Sequence, residues 1–391
     1  MLSEAQLADL RARNPVPLIA ERLGVKLRKA GRRLIGACPI CGQGKSKTPT
    51  RFEATSDESW ACAVCEAGGD VIRLVELARR KTFRGAVEWL GGPQELSPED
   101  AERLEREARL KREKRERETE KFREQERIRC WRIWVQARRE IVATPLEAYL
   151  RGRGIDALDG LALRFAPKLG FWHGEIVDER GRKSPRLIHE GPAQVAAFVD
   201  GAGVFRGVHL TWIDPARPGA KATIADPDTG EILNPKKMRG TKAGNWVLVE
   251  RPRPGADLWA PGAALATGEG IETILTAREA DTERLFSYVA AGDLGNLAGP
   301  AVETVPHPTL KTPHGRPQRV PGPEPDLDRP GLPIPDSVEE LRLIADGDSD
   351  AFLTRLAMMR AGKRYARPGR RVMCTWPPDG ADLNDVARGK A

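Results

Sequence analysis

Apolar positions in the last third of the chain alternate between two periods. Short apolar runs at 263–267, 285–290, 341–345 and 371–376 read as buried strands, while 271–278 and 351–359 carry apolar residues at helical spacing. Strands alternating with helices predict a mostly parallel sheet. Between the second and third strands, residues 300–336 are rich in Pro and Gly and show little apolar periodicity. That stretch reads as an extended loop or flap over the sheet, not as a folded module. Upstream, residues 144–255 read as one short helix at 146–150 followed by turns and alternating strands such as 195–199 and 208–213. Further upstream the apolar pattern disappears. Ser97-Pro-Glu-Asp is a good helix start, with a capping serine, a proline at the first helical position and an acid at the third. From there to about Arg129 nearly every residue is charged. The pairs Glu102/Arg106, Glu105/Arg109 and Glu113/Arg117 sit four apart and support a solvated helix, and no apolar heptad calls for a coiled coil. Ile128, Trp131 and Val135 then restore a stripe at helical spacing and predict docking on the next domain, and Thr144-Pro145 marks a break.

The 391 residues suffice for two or three domains. The pattern divides them into 1–93, a charged helical linker over 94–143, a basic mixed α/β domain over 144–255, and a C-terminal domain over 256–391. Lys and Arg number 64 against 56 Asp and Glu, a formal charge of +8, which favours a polyanionic partner such as nucleic acid. No apolar run approaches the roughly 18 residues of a membrane span, and Met-Leu-Ser-Glu-Ala-Gln-Leu does not open like a signal peptide. The expectation is a cytoplasmic protein without a membrane partner, whose six cysteines serve as metal ligands or free thiols.

Cys38-Pro-Ile-Cys41 and Cys62-Ala-Val-Cys65 are two C-x2-C pairs separated by 20 residues. Each pair can grip one metal from a tight knuckle, and four thiolates close a tetrahedral zinc shell, a structural site with no open position. Cys130 and Cys374 stand alone and read as ordinary buried or half-buried thiols. Lys45, Lys47, Arg51 and Trp60 lie between the ligands. They could hold phosphates and stack on an unpaired base, or form a solvated loop with Trp60 packed on the ribbon. Gly44-Lys45-Ser46 is not a P-loop, because the partner glycine would fall on Pro39. No other stretch supplies one, so the chain shows no ATPase motor. These pairs, with Lys47-Thr-Pro-Thr-Arg-Phe-Glu-Ala between them and Gly68-Gly-Asp-Val-Ile-Arg after them, resemble the zinc ribbon of bacterial and phage primases. In the bacterial replicative enzymes the second ligand is usually histidine; here it is Cys41, as in phage members.

Glu269, in Ala264-Leu-Ala-Thr-Gly-Glu-Gly, and the pair Asp346 and Asp348, in Leu343-Ile-Ala-Asp-Gly-Asp, end apolar runs. At the carboxyl ends of neighbouring strands of an open sheet they would converge on one crevice. Three carboxylates there repel one another unless a cation sits between them, and Mg²⁺ or Mn²⁺ suits such oxygen ligands. Glu272 reads as lying on the outer face of its helix. These motifs resemble the Toprim domain shared by bacterial-type primases, topoisomerases and some nucleases, over residues 256–391. The resemblance implies a further metal-holding aspartate in Pro377-Pro-Asp-Gly-Ala-Asp-Leu-Asn-Asp, where Asp382 matches best; Asp385 and Asp350 are second-line candidates.

Lys221, Lys236, Lys237, Arg239 and Lys242 cluster in turn-rich sequence and could hold template phosphates or an incoming triphosphate. Tyr149-Leu-Arg-Gly-Arg-Gly-Ile and Pro235-Lys-Lys-Met-Arg-Gly resemble the domain that precedes Toprim in phage and plasmid primase-like proteins, which implies a basic ridge guiding the template. His209 could lie near the cleft, although a lone histidine on a strand is more often structural. Zinc ribbon, long charged helix, mixed α/β basic domain and α/β Toprim domain, an α+β multidomain chain, are in the order of bacterial-type primases. That likeness implies RNA-primer synthesis from NTPs on single-stranded DNA, with structural Zn²⁺, catalytic Mg²⁺ or Mn²⁺ and a separate replicative helicase as partner. The alternatives are a Toprim nuclease and a non-catalytic DNA-binding accessory protein. Topoisomerase chemistry needs a nucleophilic tyrosine, and Tyr149, Tyr288 and Tyr365 have no recognisable setting for it. The missing motor, the four-cysteine ribbon and the insertion point to a phage or mobile-element protein in a bacterial cell.

Overall fold

The computed structural model describes the chain apart from residues 1, 31–32, 42–51, 55–56, 63–66, 93–96, 180, 251–262, 284–285, 312–314, 316, 348, 379, 381–382 and 390–391, and the side chains of Ala101 and Ala108. It divides into two compact units, Met1–Glu120 and Lys121–Ala391.

In the first unit α1 (Glu4–Arg13) and α2 (Val16–Arg22) lead into a five-stranded antiparallel meander. Its strands are β1 (Arg28–Ala30), β2 (Arg33–Gly36), β3 (Phe52–Ala54), β4 (Trp60–Cys62) and β5 (Ala67–Gly69). Helices α3 (Val71–Arg79) and α4 (Phe83–Trp89) follow. Such short strands cannot bury much alone; Leu10, Ile19, Phe52, Trp60, Leu74 and Val75 close one core between helices and meander. Asp70 caps α3 by accepting from the Arg73 N–H at 2.9 Å. Ser97 starts α5 (Pro98–Gln136), accepting from the Asp100 N–H at 3.1 Å, as its sequence predicts. This 39-residue helix begins in the first unit and ends in the second.

The second unit is a three-layer sandwich around a nine-stranded mixed sheet of order β11-β8-β7-β12-β14-β13-β17-β18, with β6 paired to β7. The antiparallel half comprises β6 (Arg164–Val177), β7 (Lys183–Val199), β8 (Phe205–Trp212), β11 (Lys236–Gly240) and β12 (Trp246–Leu248). Strands β9 (Ile224–Ala225) and β10 (Ile232–Leu233) form a separate small hairpin. The parallel half comprises β13 (Ala263–Gly268), β14 (Ser287–Ala290), β17 (Val338–Ile344) and β18 (Arg371–Thr375). The predicted run of parallel strands is present, but it continues an antiparallel sheet through the β12–β14 pair. The expected boundary at residue 255 lies outside the described residues, and strands on either side of it share the sheet.

Alternation along β7 sends Val195 and Ala197 to one layer and Ala196 and Phe198 to the other. The second layer holds α6 (Pro145–Gly152), capped by Thr144, and α7 (Ile271–Ala280). The first holds the end of α5, α8 (Leu294–Ala298) and α9 (Ala351–Tyr365). A last short helix, α10 (Leu383–Ala387), packs against α7.

Two expectations are corrected here. The docked stripe of α5 is not Ile128, Trp131 and Val135, which are 40–48% exposed, but Cys130 and Ala137, with Ile133 and Trp134 beside them. Trp131 edges onto Phe205, 5.1 Å between ring centroids, and keeps its other face to solvent. The Pro-rich insertion is folded. Strands β15 (Thr304–Lys311) and β16 (Pro317–Pro321) pair antiparallel, and Val320 and Leu332 are buried. What holds it is polar. Buried Arg360 of α9 donates to the carbonyls of Gly299 at 2.9 Å and Gly322 at 2.6 Å, and Arg364 donates to those of Ala298, Pro300, Asp326 and Arg329. A periodicity test cannot detect a segment fastened through its backbone carbonyls.

Candidate active site

In the first unit, Cys38, Cys41 and Cys62 bring their sulfurs within 4.8 Å of one another, with 3.9 Å between Cys41 and Cys62. Zinc–sulfur bonds of about 2.3 Å in a tetrahedron set sulfurs about 3.8 Å apart, so these three residues fit structural zinc. Cys65, Lys47 and Arg51 lie outside the described residues. Trp60 is corrected: it is 2% exposed, stacked on Phe52 at 5.6 Å, and its indole N–H donates to the Asp70 carbonyl at 2.9 Å. It belongs to the ribbon core and offers no face to a base. Of the lone thiols, Cys130 is buried, which pushes its pKa up to about 11, while Cys374 is exposed rather than half-buried.

In the second unit, Glu269 follows β13 and Asp346 follows β17, the adjacent parallel strand; Gly268 is in register with Ile344. A Cβ on Gly268 would come within 2.7 Å of the Ile344 carbonyl, so the glycine before Glu269 permits the close approach of the two strands. One residue past Glu269, a Cβ on Gly270 would lie 3.9 Å from Asp346 Oδ2, which puts the Asp346 carboxylate beside the Glu269 turn. The Gly292 N–H donates to the Glu269 carbonyl at 2.9 Å, tying in the loop after β14. Two acidic oxygen donors at the ends of adjacent strands fit a hard divalent cation. Asp348 and Asp382 lie outside the described residues. Asp385 lies in the first turn of α10, half-buried. Asp350 caps α9, accepting from the Leu353 N–H at 2.9 Å, and faces His307; this backbone bond, then the histidine, hold its carboxyl below the usual range.

The expectation that Glu272 lies on an outer face is overturned. It is 7% exposed, since α7 is buried on almost every side. Tyr149 of α6 donates to its Oε1 at 2.6 Å. The ammonium groups of Lys221 and Lys236 lie 3.4 and 3.5 Å from its two oxygens. Burial alone would raise its pKa; Lys236 and Lys221 instead hold it well below the ordinary value. Glu272 in turn raises Lys236 against its own burial, with a smaller contribution from Asp346, while burial lowers Lys221. Lys236 is thus held charged chiefly by the buried acid, with Asp346 adding to it. On the same face, burial and then Lys236 depress the pKa of His209 to about 4, so it is a neutral core residue at pH 7.

The expected cation cluster is therefore divided: Lys236 and Lys237 with Arg239 lie on opposite faces of β11, and Lys221 and Lys242 lie outside it. On β11, Lys236 points toward Glu272, whereas Lys237 and Arg239 border an apolar groove of about 680 Å³ with Trp172 and Trp212. Lys237 sits 4.1 Å from the Phe171 ring centroid and donates to the Trp172 carbonyl. Arg239 pairs with Glu126 at 2.8 Å, and Lys242 pairs with Asp293, the cap of α8. Glu272 and Asp293 were missed because their partner cations lie far upstream in the chain, where no spacing rule reaches.

Residues 2–105 match the CHC2 zinc finger family, and residues 124–249 match a domain family of unknown function, DUF7146. The chain thus resembles primases with an N-terminal zinc ribbon. No curated protein matches it. Among solved structures it is similar to the zinc-binding and RNA polymerase domains of the Aquifex aeolicus primase, at 16% identity and TM-score 0.36, covering 100% of this chain and 83% of that one. A DNA primase domain from Pseudomonas aeruginosa matches at 14% identity and TM-score 0.35, covering 67% and 74%. The primase fragment of the bacteriophage T7 primase-helicase protein matches at 13% and 0.30, covering 88% and 91%. No helix among the described residues is long and apolar enough to cross a membrane.

Proposed function

We propose that this protein is a primase-type nucleotidyltransferase that builds short RNA on single-stranded DNA. The observation that carries the reading is the juxtaposition of Glu269 and Asp346 at the ends of adjacent parallel strands, with half-buried Lys236, paired to Glu272, within electrostatic reach of Asp346. The CHC2 match and the cysteine cluster support it from the other end of the chain. Glu269, Asp346 and Asp348 would hold Mg²⁺ or Mn²⁺, with Asp382 and Asp385 as further candidates. When bound, the cation offsets charge as a 3′-hydroxyl attacks an α-phosphorus and pyrophosphate leaves. Lys221 and Lys236 present two ammonium groups against one internal carboxylate, leaving one positive charge for phosphate oxygens. Glu272 and Tyr149 fix those ammonium groups in place. Lys237, Arg239 and Lys242 would guide the template. Labelled NTPs incubated with the protein, single-stranded DNA and Mg²⁺ or Mn²⁺ test the reading. New oligoribonucleotides support it, shortened DNA means a nuclease, and neither means an accessory protein.

A further inference from the structure

His307 is a buried titratable group that the reaction above does not use. It lies in β15 of the insertion, 2% exposed, where the pairing with β16 shifts register between Pro306 and Lys311. This irregularity lets residues 307–310 fold back on the ring. The N–H groups of Leu310 and Thr309 donate to its Nδ1 at 2.9 and 3.2 Å. Nδ1 is therefore the unprotonated nitrogen, and Nε2 carries the proton. That proton points between the two oxygens of Asp350, 3.1 and 3.2 Å away. The ring edge also packs on Phe352, 5.0 Å between centroids at 80°. Asp350 follows Asp346 by four residues in the sequence and caps α9. The insertion is thus fastened to α9 at both ends: by His307 at its first turn, and by Arg360 and Arg364, through the Gly322 and Asp326 carbonyls, at its last turns.

We propose that His307 is a positioning residue: through Asp350, the insertion braces the start of α9, four residues past Asp346, so that Asp346 is held ready for a divalent cation. This rests on the reading of Glu269 and Asp346 as the cation site. It assigns Asp350 a different task from ligation, because its oxygens already accept from the imidazole and from the Leu353 N–H. A carboxylate held at both oxygens fixes the start of α9, on which the strand-end segment bearing Asp346 must arrive. A loop free to move has to be ordered at the expense of the binding energy.

The test is Mn²⁺ affinity, read by electron paramagnetic resonance on the full-length protein, with zinc retained and the melting temperature recorded for each variant. His307→Ala removes the ring and all of these contacts. His307→Gln keeps an N–H donor near the Nε2 position. The expected result is a dissociation constant raised about tenfold or more in His307→Ala and restored to within about threefold of wild type in His307→Gln. If His307→Ala binds Mn²⁺ like wild type, or if His307→Gln is as weak as His307→Ala while melting like wild type, the brace is overturned. If His307→Ala does not fold, His307→Gln decides alone: wild-type affinity supports the brace and a tenfold loss overturns it. Asp346→Asn separates the two readings. Should it leave Mn²⁺ binding intact, the cation-site assignment fails; should it abolish binding while His307→Ala does not weaken it, only the brace fails.

Discussion

At Glu272 one carboxylate meets two ammonium groups and a phenol inside the protein, and removing its charge leaves Lys221 and Lys236 facing each other half-buried. Breaking such a group by removing one partner costs about 3–5 kcal/mol. Glu272→Gln should therefore lower the urea midpoint by a corresponding amount, whereas a loss below about 0.5 kcal/mol would mean that solvent screens the trio. His209 adds a pH dependence. Its folded pKa, about 4, lies below the ordinary 6.5, so between these values the unfolded chain binds more protons. The stability due to neutral His209 is complete above pH 6.5 and is lost as pH falls toward 4, on the order of 3 kcal/mol in all. Urea midpoints measured across that window should slope in the wild type and flatten in His209→Gln; equal slopes would show that His209 titrates normally. Local spacing made Cys38, Cys41 and Cys62 legible, and the apolar runs that Glu269 and Asp346 close made their placing at adjacent strand ends legible. Trp60 was ambiguous because an indole among basic residues looks alike whether it stacks on a base or, as here, on Phe52.

Element by element, the sequence placed β13, β14, β17, β18 and α7 within three residues at each end, because each is an apolar run ended by Gly, Asp or Pro; α9 runs six residues past its expected end, and α8 and α10 were not foreseen. Its error in the insertion has the opposite cause: the hairpin's fastening is made by Arg360 and Arg364 to carbonyls, which leave no apolar signature. Strand β11 shows how alternation sorts function. Lys236 faces the buried acid while Lys237 and Arg239 face the groove, so the two lysines should behave differently. Lys237→Ala should weaken single-stranded DNA binding evenly across sequences and reduce the salt slope by about one. A titration series in increasing NaCl checks this; an unchanged slope would mean that Lys237 serves only the Phe171 face.

For the whole molecule, the two units invite separate tests. Binding energy is folding energy in a small zinc domain, so Cys62→Ser should lose about one equivalent of zinc and open the first unit to proteolysis. Retained zinc with an equally resistant first unit would show that Cys62 is not one of the metal's ligands. The central claim is that Glu269 and Asp346 at the strand ends perform nucleotidyl transfer. Its most direct measurement is primer synthesis by Asp346→Asn on single-stranded DNA with NTPs and Mg²⁺ or Mn²⁺. The substitution keeps the size of the side chain and removes one charge from the site, and losing several kcal/mol of transition-state stabilisation lowers the rate by at least about a hundredfold. The account predicts that fall, with template binding and melting temperature close to wild type. Primer synthesis by Asp346→Asn at near the wild-type rate would contradict it.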